Sequence, residues 1–240
     1  MDNLHELINE SEVADFYNKV KEIWPSNELW YRHTKKQIEK FVHKYAFGNN
    51  DYVLNAGSGG YDYHLKAQIH HVDIAAEKIK HLPLYTIASI EKLPFASNTF
   101  DGVLCVGSVI NYCDAIAAIA EISRVLKPGG RLLLEYENSY AYEYKNKSCY
   151  KASAKMVQSL YQGEKQQQWI YSYKYINTIL RKYGLKITAK YRFHIFSTLM
   201  LHFGKNENYA ARYAKFDIVG SYLPFISNHG SNVIVHCIKL

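Results

Sequence analysis

One stretch near the start of the chain constrains the fold more than any other. Residues 51–63 read DYVLNAGSGGYDY, in which an apolar run at 52–55 breaks into the glycine turn GSGG at 57–60. Glycine adopts positive φ and lets the backbone approach a ligand closely, because it has no Cβ. A second short strand, at residues 69–74, carries the single carboxylate of Asp73 near its end. Two strands joined through a glycine turn and a helix, the second with an acid near its end, are typical of a ligand-binding βαβ unit.

The glycine turn does not match the two nucleotide-binding patterns that are best defined in sequence. A dinucleotide fingerprint needs G-x-G-x-x-G, and counting from Gly57 places the carboxylate of Asp62 at the last position, near the pyrophosphate. A P-loop needs Gly-Lys-Ser/Thr, which does not follow. Asp73 lies roughly 20 residues beyond the first strand, where such folds hold an acid for ribose hydroxyls. The pattern therefore favours a nucleoside with little or no phosphate, and S-adenosylmethionine fits that description.

Four motifs, in chain order, resemble those of the class I S-adenosylmethionine-dependent methyltransferases. They are VLNAGSGG, HHVDIA, SIEKLPFASNTFDGVLCVGSVINY and EISRVLKPGGRLLLEYEN, within residues 51–138. The resemblance implies an α/β fold with a doubly wound, mostly parallel, seven-stranded Rossmann-like sheet whose last strand is antiparallel. The sequence departs from the family pattern at three positions: Asn55 replaces the usual acid, Tyr61 the third glycine, and Ser89 the acid before the adenine contact.

The resemblance also assigns cofactor-binding roles. A short helix at residues 63–68 would direct its free N–H groups toward the methionine carboxylate, and Asp73 would bind the ribose hydroxyls. Ser89 and Ile90 would border the adenine, while residues 106–107, at the carboxyl end of the fourth strand, would face the crevice. Helices before the core would cover the site. The predicted cofactor-binding residues are Asn55, Ala56, Gly57, Gly59, Asp73, Ile74, Ser89, Ile90, Val106, Gly107, Tyr17 and Tyr31.

Strands and helices alternate along the core, which is typical of a doubly wound α/β domain. Hydrophobic spacing predicts helices at 11–21, 27–46, 114–126, 152–161 and 172–183. It predicts strands at 85–87, 101–109, 131–136, 166–171, 185–192 and 232–238.

We expect a single methyltransferase domain over residues 1–240, consisting of an N-terminal helical lid at 1–48, a cofactor-binding core at 51–138 and a C-terminal half at 139–240. Residues 193–228 replace a hairpin that is normally short in the family. Long insertions in compact domains are usually functional. This helical and aromatic insertion and the N-terminal helices are therefore expected to meet above the cofactor and to enclose the substrate.

Two histidines are candidates for a general base. Methyl transfer from a sulfonium depends on positioning the nucleophile, and a base is needed only where the nucleophile must lose a proton. Histidine suits that role at neutral pH, and His33 and His194 lie in the two covering segments. No metal site is predicted, because strand alternation directs His70 and His71 to opposite faces and no H-E-x-x-H motif occurs.

Composition limits the partners and the location. The chain has 240 residues, 48% of them hydrophobic, which can supply a sizeable core, and its net charge of +7 is dispersed rather than concentrated in a basic block. The four cysteines lack metal spacing and indicate reduced thiols in a cytoplasmic protein. No apolar run is long enough to span a membrane, so a soluble monomer or homodimer is expected. The 22 tyrosines either line an aromatic pocket or cover half-buried surface.

These features favour a methyltransferase that acts on an oxygen or nitrogen atom of a small aromatic or amphipathic acceptor. A tRNA or rRNA methyltransferase is an alternative that the basic charge supports, although no RNA-binding module or Asn-Pro-Pro-Tyr motif is present. A catalytically silent cofactor-binding protein is a third, supported by Asn55 and Ser89. A dehydrogenase is disfavoured by Asp62.

Overall fold

The computed structural model describes residues 8–45 and 47–240. The strands are β1 (Tyr52–Ala56), β2 (Gln68–Asp73), β3 (Tyr85–Ile87), β4 (Phe100–Cys105), β5 (Leu126–Glu137), β6 (Ala154–Tyr161), β7 (Glu164–Tyr171), β8 (Leu185–Phe193) and β9 (Asn232–Lys239). The helices are α1 (Glu10–Lys19), α2 (Leu29–Lys44), α3 (Ala76–Ile79), α4 (Ala115–Val125), α5 (Tyr173–Lys182), α6 (Ile195–His202), α7 (Glu207–Ala210), α8 (Asp217–Ser221) and α9 (Pro224–Ser227).

Seven strands form one sheet in the order β3-β2-β1-β4-β5-β9-β8, and β6 and β7 form a separate hairpin. The pairs from β3 to β5 are parallel, whereas β9 runs antiparallel to both β5 and β8. The predicted doubly wound, mostly parallel sheet with an antiparallel last strand is confirmed. Its order reverses between β1 and β4, which in open α/β sheets is the point where ligands bind.

Both faces of the sheet are covered, which explains the continuous apolar runs of its central strands. Leu132 and Leu134 pack toward α4 and α5 on one face, and Leu133 packs toward α2 on the other. Helix α4 starts after Asp114, whose carboxylate accepts a hydrogen bond from the N–H of Ile116 at 2.8 Å. Ile116 itself is 40% exposed, because it lies off the buried stripe formed by residues 115, 118, 119 and 122.

The helix predicted at residues 63–68 is wrong. Tyr63 and His64 both have φ of 54°, in the left-handed region, so a right-handed helix cannot run through them. The carboxylate of Asp62 accepts a hydrogen bond from the N–H of His64 at 2.9 Å, and the side chain of Tyr63 is buried. The segment is an irregular loop, and no helix N-terminus faces the crevice there.

The helix predicted at residues 152–161 is also wrong. Those residues contain β6, which pairs antiparallel with β7 in a register that runs from Ala154↔Tyr171 to Tyr161↔Glu164. The turn residues Gln162 and Gly163 have φ of 48° and 83°, as a two-residue hairpin turn requires. Pairing with a partner strand therefore decides the conformation of this segment.

The covering segments differ in detail from their predicted limits. Helix α1 begins one residue earlier than expected, with Asn9 as its N-cap, and ends at Lys19, two residues before the predicted end. Helix α2 ends at Lys44, and Ala46, the predicted end, lies outside the described residues, as do residues 1–7 of the predicted lid. Between β8 and β9 the chain forms the four short helices α6 to α9. Within the described part of the chain, no helix is long and apolar enough to cross a membrane.

Candidate active site

A cavity of about 330 Å³ opens at the carboxyl ends of β1, β2 and β4. The sheet contributes one wall through the glycine turn, the end of β2 and the loop after β4. Helix α1, the start of α2 and the β6–β7 hairpin contribute the opposite wall. The cavity therefore lies at the switch point of the sheet, where the sequence motifs converge.

Glycine is required at position 57 because the space for a side chain is already filled. Gly57 has φ of +72°, and a Cβ there would lie 2.2 Å from Cγ1 of Val109. The N–H groups of Gly57 and Ser58 both donate to the carbonyl of Val72, at 2.8 and 3.1 Å. The turn is thus held against β2 by backbone hydrogen bonds, and its edge forms part of the cavity wall.

Asp73 lines the cavity and is fixed by two backbone donors. One carboxylate oxygen accepts from the N–H of Gly59 and the other from the N–H of Ala75, both at 2.8 Å. Burial raises the pKa of the carboxyl, while these N–H groups act to lower it. A carboxylate oxygen can accept more than one hydrogen bond, so Asp73 can serve the local turn and still bind ribose hydroxyls.

Helix α1 covers the end of the cavity at which the adenine is expected. The hydroxyl of Ser89 donates to a carboxylate oxygen of Glu10 at 2.5 Å, which joins the loop after β3 to α1. The ring of Tyr17 packs edge-on against that of Tyr112, with centroids 5.8 Å apart. Ile90 is buried and lines the same cavity. Aromatic and apolar surface of this kind is suited to a flat base.

The loop after β4 is held by a buried carboxylate that the sequence reading missed. Glu135 accepts from the N–H groups of Gly107 and Ser108, at 2.9 and 2.6 Å. Its other oxygen accepts from the side-chain amide of Asn232 at 2.7 Å. Burial raises the pKa of Glu135, and these donors lower it. The signal was present in the sequence, because Glu135 and Glu137 alternate at the end of an otherwise apolar strand.

Carboxylates and aromatic rings line the end of the cavity away from Asp73, in a region that we call the acidic subsite and that comprises Glu137, Glu143 and Glu207. The side-chain amide of Gln168 donates to Glu137 at 2.7 Å, and the hydroxyl of Ser231 donates to Glu143 at 2.7 Å. Burial, with Coulombic repulsion by Glu143, raises the pKa of Glu207 to about 7. These glutamates belong to separate elements, so no local sequence pattern connected them.

Most of the predicted cofactor-binding residues come together around the cavity. The residues that line it are Tyr17, Tyr31, Gly57, Gly59, Asp73, Ile74, Ser89, Ile90, Val106 and Gly107. Asn55 and Ala56 do not line it and are buried in β1. The amide of Asn55 instead donates to the carbonyl of Tyr61 at 2.7 Å, which fixes the loop after the glycine turn. The individual binding roles stay predictions.

The two candidate bases lie outside the cavity. The buried ring of His194 stacks on Trp30, with centroids 3.7 Å apart, and its Nε2 is 2.8 Å from the hydroxyl of Thr34. Trp30 and Thr34 line the cavity, whereas His33 and His194 do not. His33 instead has its Nε2 3.8 Å from a carboxylate oxygen of Asp217. This geometry does not support the predicted catalytic role of either histidine.

The cavity residues fit S-adenosylmethionine by their donor and acceptor chemistry. Asp73 supplies a carboxylate that can accept hydrogen bonds from the ribose hydroxyls, and the wall near Ser89 suits the adenine ring. Trp24 also lines the cavity, and its buried indole N–H has no acceptor among the described residues. Because a buried donor is stabilised by an acceptor, Trp24 is a candidate partner for the carboxylate of the cofactor.

Comparisons with known proteins agree with this geometry. Residues 54–134 match the methyltransferase domain family. An uncharacterised protein of Methanocaldococcus jannaschii, MJ0638, is 33% identical over 143 residues, which cover 53% of this chain and 61% of that protein. The match therefore spans less than two thirds of that relative.

Two solved structures share the fold at low sequence identity. The [4+2]-cyclase SpnF has a TM-score of 0.63 at 15% identity, and 97% of each chain is covered. A 1,6-didemethyltoxoflavin N1-methyltransferase of Burkholderia thailandensis, solved with S-adenosylhomocysteine, has a TM-score of 0.58 at 12% identity, covering 96% of this chain and 86% of its own. At these identities the likeness concerns the fold, and the different reactions named show that the fold alone does not fix the chemistry.

The matched region contains the glycine turn, Asp73 and the loop held by Glu135. The sheet order, the motifs and the family match agree on one conclusion. Residues 54–134 form a methyltransferase domain, for which S-adenosylmethionine is the implied cofactor, and the chain as a whole has the fold of class I S-adenosylmethionine-dependent methyltransferases.

Proposed function

We propose that this protein transfers a methyl group to a nitrogen or oxygen atom of a small acceptor bound beside Tyr31 and Tyr144. The observation that carries the proposal is the continuity of the cavity, which reaches from Asp73 at the cofactor end to Glu137, Glu143 and Glu207 at the other. A volume of about 330 Å³ is at the lower end of the range for small-molecule pockets. A cavity of this size favours a small acceptor over a nucleic acid.

The cofactor supplies, when bound, an electrophilic methyl group whose bonding electron pair stays on sulfur as the acceptor atom forms the new bond. The protein has to hold the acceptor in line and exclude water. Glu135 fixes the Gly107–Ser108 backbone at the centre of the cavity. Positioning is therefore the main contribution that the described residues make.

Aromatic contacts join the elements that form the wall opposite the sheet. The ring of Tyr31 packs edge-on against that of Tyr161, with centroids 5.1 Å apart. The hydroxyl of Tyr161 donates to the carbonyl of Ile23 at 2.7 Å, which ties the β6–β7 hairpin to the N-terminal segment. These contacts support the proposal that the β6–β7 hairpin forms part of the lid, together with residues 1–48.

The insertion at residues 193–228 contributes one carboxylate to the cavity, Glu207. The side-chain oxygen of Asn208 accepts from the N–H of Leu29 at 3.2 Å, so the insertion meets the N-terminal segment, which supports the proposed lid. An acceptor O–H or N–H must lose its proton, and a carboxylate whose pKa is raised to about 7 is suited to take it. We therefore propose Glu207 as the base. The predicted oligomeric state and cytoplasmic location stay predictions.

The proposal is tested by following S-adenosylhomocysteine formation over a panel of small amines, phenols and alcohols, with bulk tRNA in parallel. Turnover on a small molecule is expected, and turnover on tRNA alone would overturn the proposal. Asp73→Ala should weaken S-adenosylmethionine binding by about tenfold or more, since charge-assisted hydrogen bonds to the ribose are lost. Asp15→Ala, at an exposed position of α1, is the matched control.

A further inference from the structure

The cavity carries a charge opposite to that of the protein as a whole. The chain has a net charge of +7. The described acids that line the cavity are Glu10, Asp73, Glu137, Glu143 and Glu207, and the basic residues are Lys78 and Lys147. Glu10, Asp73 and Lys78 lie at the cofactor end, where Lys78 donates to the carbonyl of Val20. The remaining charged residues, at the acidic subsite, are its three glutamates and Lys147.

The acidic subsite is not neutralised by ion pairs within the described protein. None of the salt bridges among the described residues includes Glu137, Glu143 or Glu207. Glu137 accepts a neutral hydrogen bond from Gln168, and Glu143 accepts one from Ser231. Burial raises the pKa of Glu143, while Ser231, Lys147 and Thr198 act to lower it. No donor among the described residues contacts Glu207. Ionised carboxylates in a desolvated cavity repel one another, and a positive charge placed between them offsets that repulsion. The free energy of ionising them would therefore be lowered by a cationic ligand.

Aromatic rings surround the same end of the cavity and point independently to a cation. Tyr31, Tyr144 and Trp30 all line it, and the faces of such rings attract organic cations. The Nζ of Lys147, an exposed residue at the edge of the cavity, already lies 5.5 Å from the ring centroid of Tyr144. Burial raises the pKa of Tyr31, and the negative charges of Glu207 and Glu137 raise it further, in keeping with the place of this ring on the same cavity.

A metal ion is a poor alternative occupant. In residues 8–45 and 47–240, no three His, Cys, Asp or Glu side chains are close enough to bind a metal ion together. The three glutamates of the acidic subsite therefore do not form a metal-coordinating cluster. An ammonium or amidinium group donates hydrogen bonds in several directions and does not need such a cluster.

We propose that the acceptor is a small organic cation, with an ammonium or amidinium group that binds at the acidic subsite among the rings of Tyr31 and Tyr144. This inference rests on the proposed function and adds the substrate class. The atom that takes the methyl group is a separate nitrogen or oxygen, since a protonated amine has no lone pair. That atom gives its proton to Glu207 or to water as the new bond to carbon forms.

Binding of the cation should strengthen as the glutamates ionise. The titratable and charged groups that face Glu207 are Glu143, Glu28 and Tyr31, with Glu137 and Lys147 on the same cavity. A cationic acceptor should therefore bind more tightly as the pH rises from 6 to 8, whereas a neutral analogue should show no such trend. Inhibition constants for the two measured at each pH would show the difference.

The experiment uses the full chain loaded with S-adenosylhomocysteine and three probes of matched size, which are 2-phenylethylamine, 2-phenylethanol and phenylacetate. Calorimetry should show the amine binding at least about tenfold more tightly than the alcohol, with phenylacetate weakest. Glu143→Gln and Glu207→Gln should each weaken amine binding by about tenfold and leave the alcohol unchanged. Glu164→Gln, at an exposed position of β7, is the control.

The outcomes separate this inference from the proposed function. Turnover on neutral or anionic acceptors, with no preference for cations, would overturn the inference and leave the proposed function intact. Equal binding of amine and alcohol, or no effect of either glutamine variant in a protein of unchanged melting profile, would overturn it as well. Cofactor binding without turnover on any small molecule would overturn the proposed function and the inference with it.

Discussion

The carboxylate of Glu135 accepts a hydrogen bond from the backbone N–H of Gly107 at 2.9 Å, so a side chain of β5 fixes the loop that follows β4. The same oxygen accepts from Ser108, and Asn232 of β9 holds the other oxygen. Three neighbouring strands therefore determine the shape of the cavity wall at this point. Glu135 is a positioning residue, because it acts through the loop.

Replacing Glu135 by alanine should weaken S-adenosylhomocysteine binding by about tenfold or more, since the N–H groups of Gly107 and Ser108 lose their acceptor. Glu135→Gln should have a smaller effect, because its amide oxygen can still accept both hydrogen bonds. Calorimetry and melting curves would measure the two effects. If alanine and glutamine variants bound the cofactor equally, a positioning role for the carboxylate would be contradicted.

Adding a methyl group at position 57 should be far more damaging than adding one at another glycine of positive φ. Gly57→Ala places a Cβ 2.2 Å from Val109 and should reduce both stability and cofactor binding. Gly163→Ala is the matched control, because Gly163 has φ of +83° but open space around its Cβ. The control should cost only about 1–2 kcal/mol of unfolding free energy, from backbone strain alone. Comparable losses in chemical denaturation would contradict the steric account.

Removing either histidine should leave the chemistry intact. His33→Gln should change kcat by no more than about threefold and leave its pH profile in place, because His33 does not line the cavity and is not proposed to exchange protons with the acceptor. His194→Ala should lower the melting temperature, because the stacked ring and the hydrogen bond to Thr34 are lost. Loss of the acidic limb of the profile in His33→Gln would restore His33 as the base.

Glu207 should make the stability of the ligand-free protein depend on pH. Its pKa rises from an ordinary 4.5 to about 7 on folding, so the folded state favours the protonated form. The stability that this provides is fully present below about 4.5 and is lost as the pH rises through about 7. Glu207→Gln removes the charge and should therefore raise the melting temperature at pH 8, by about 2–4 °C for each kcal/mol.

The gain from Glu207→Gln should disappear at pH 4, where the wild-type carboxyl is protonated in both states. Glu164→Gln, whose side chain is exposed, should show no such pH dependence. Melting curves of the three proteins at both pH values would test this. A lower melting temperature for Glu207→Gln at pH 8 would contradict the raised pKa.

The sequence by itself determined the core of this protein, because the information there is local. Glycines at a strand end, an acid near the end of the next strand and continuous apolar runs specify conformation and burial within a few residues. The alternating strands and helices followed from such patterns, and the resemblance of the motifs to a known family implied the antiparallel last strand and the grouping of Gly57, Asp73 and Gly107. Where a local pattern suited two conformations, as at β6, the prediction was wrong.

Only the tertiary structure decided what lies opposite the sheet. Glu137, Glu143 and Glu207 are distant in sequence, and they meet because a strand end, a short turn and an inserted helix pack around one cavity. His33 and His194 do not line the cavity for the same reason, since His194 stacks on Trp30, which is itself part of the wall. Long-range packing, which no short motif encodes, therefore determines the acceptor end of the site.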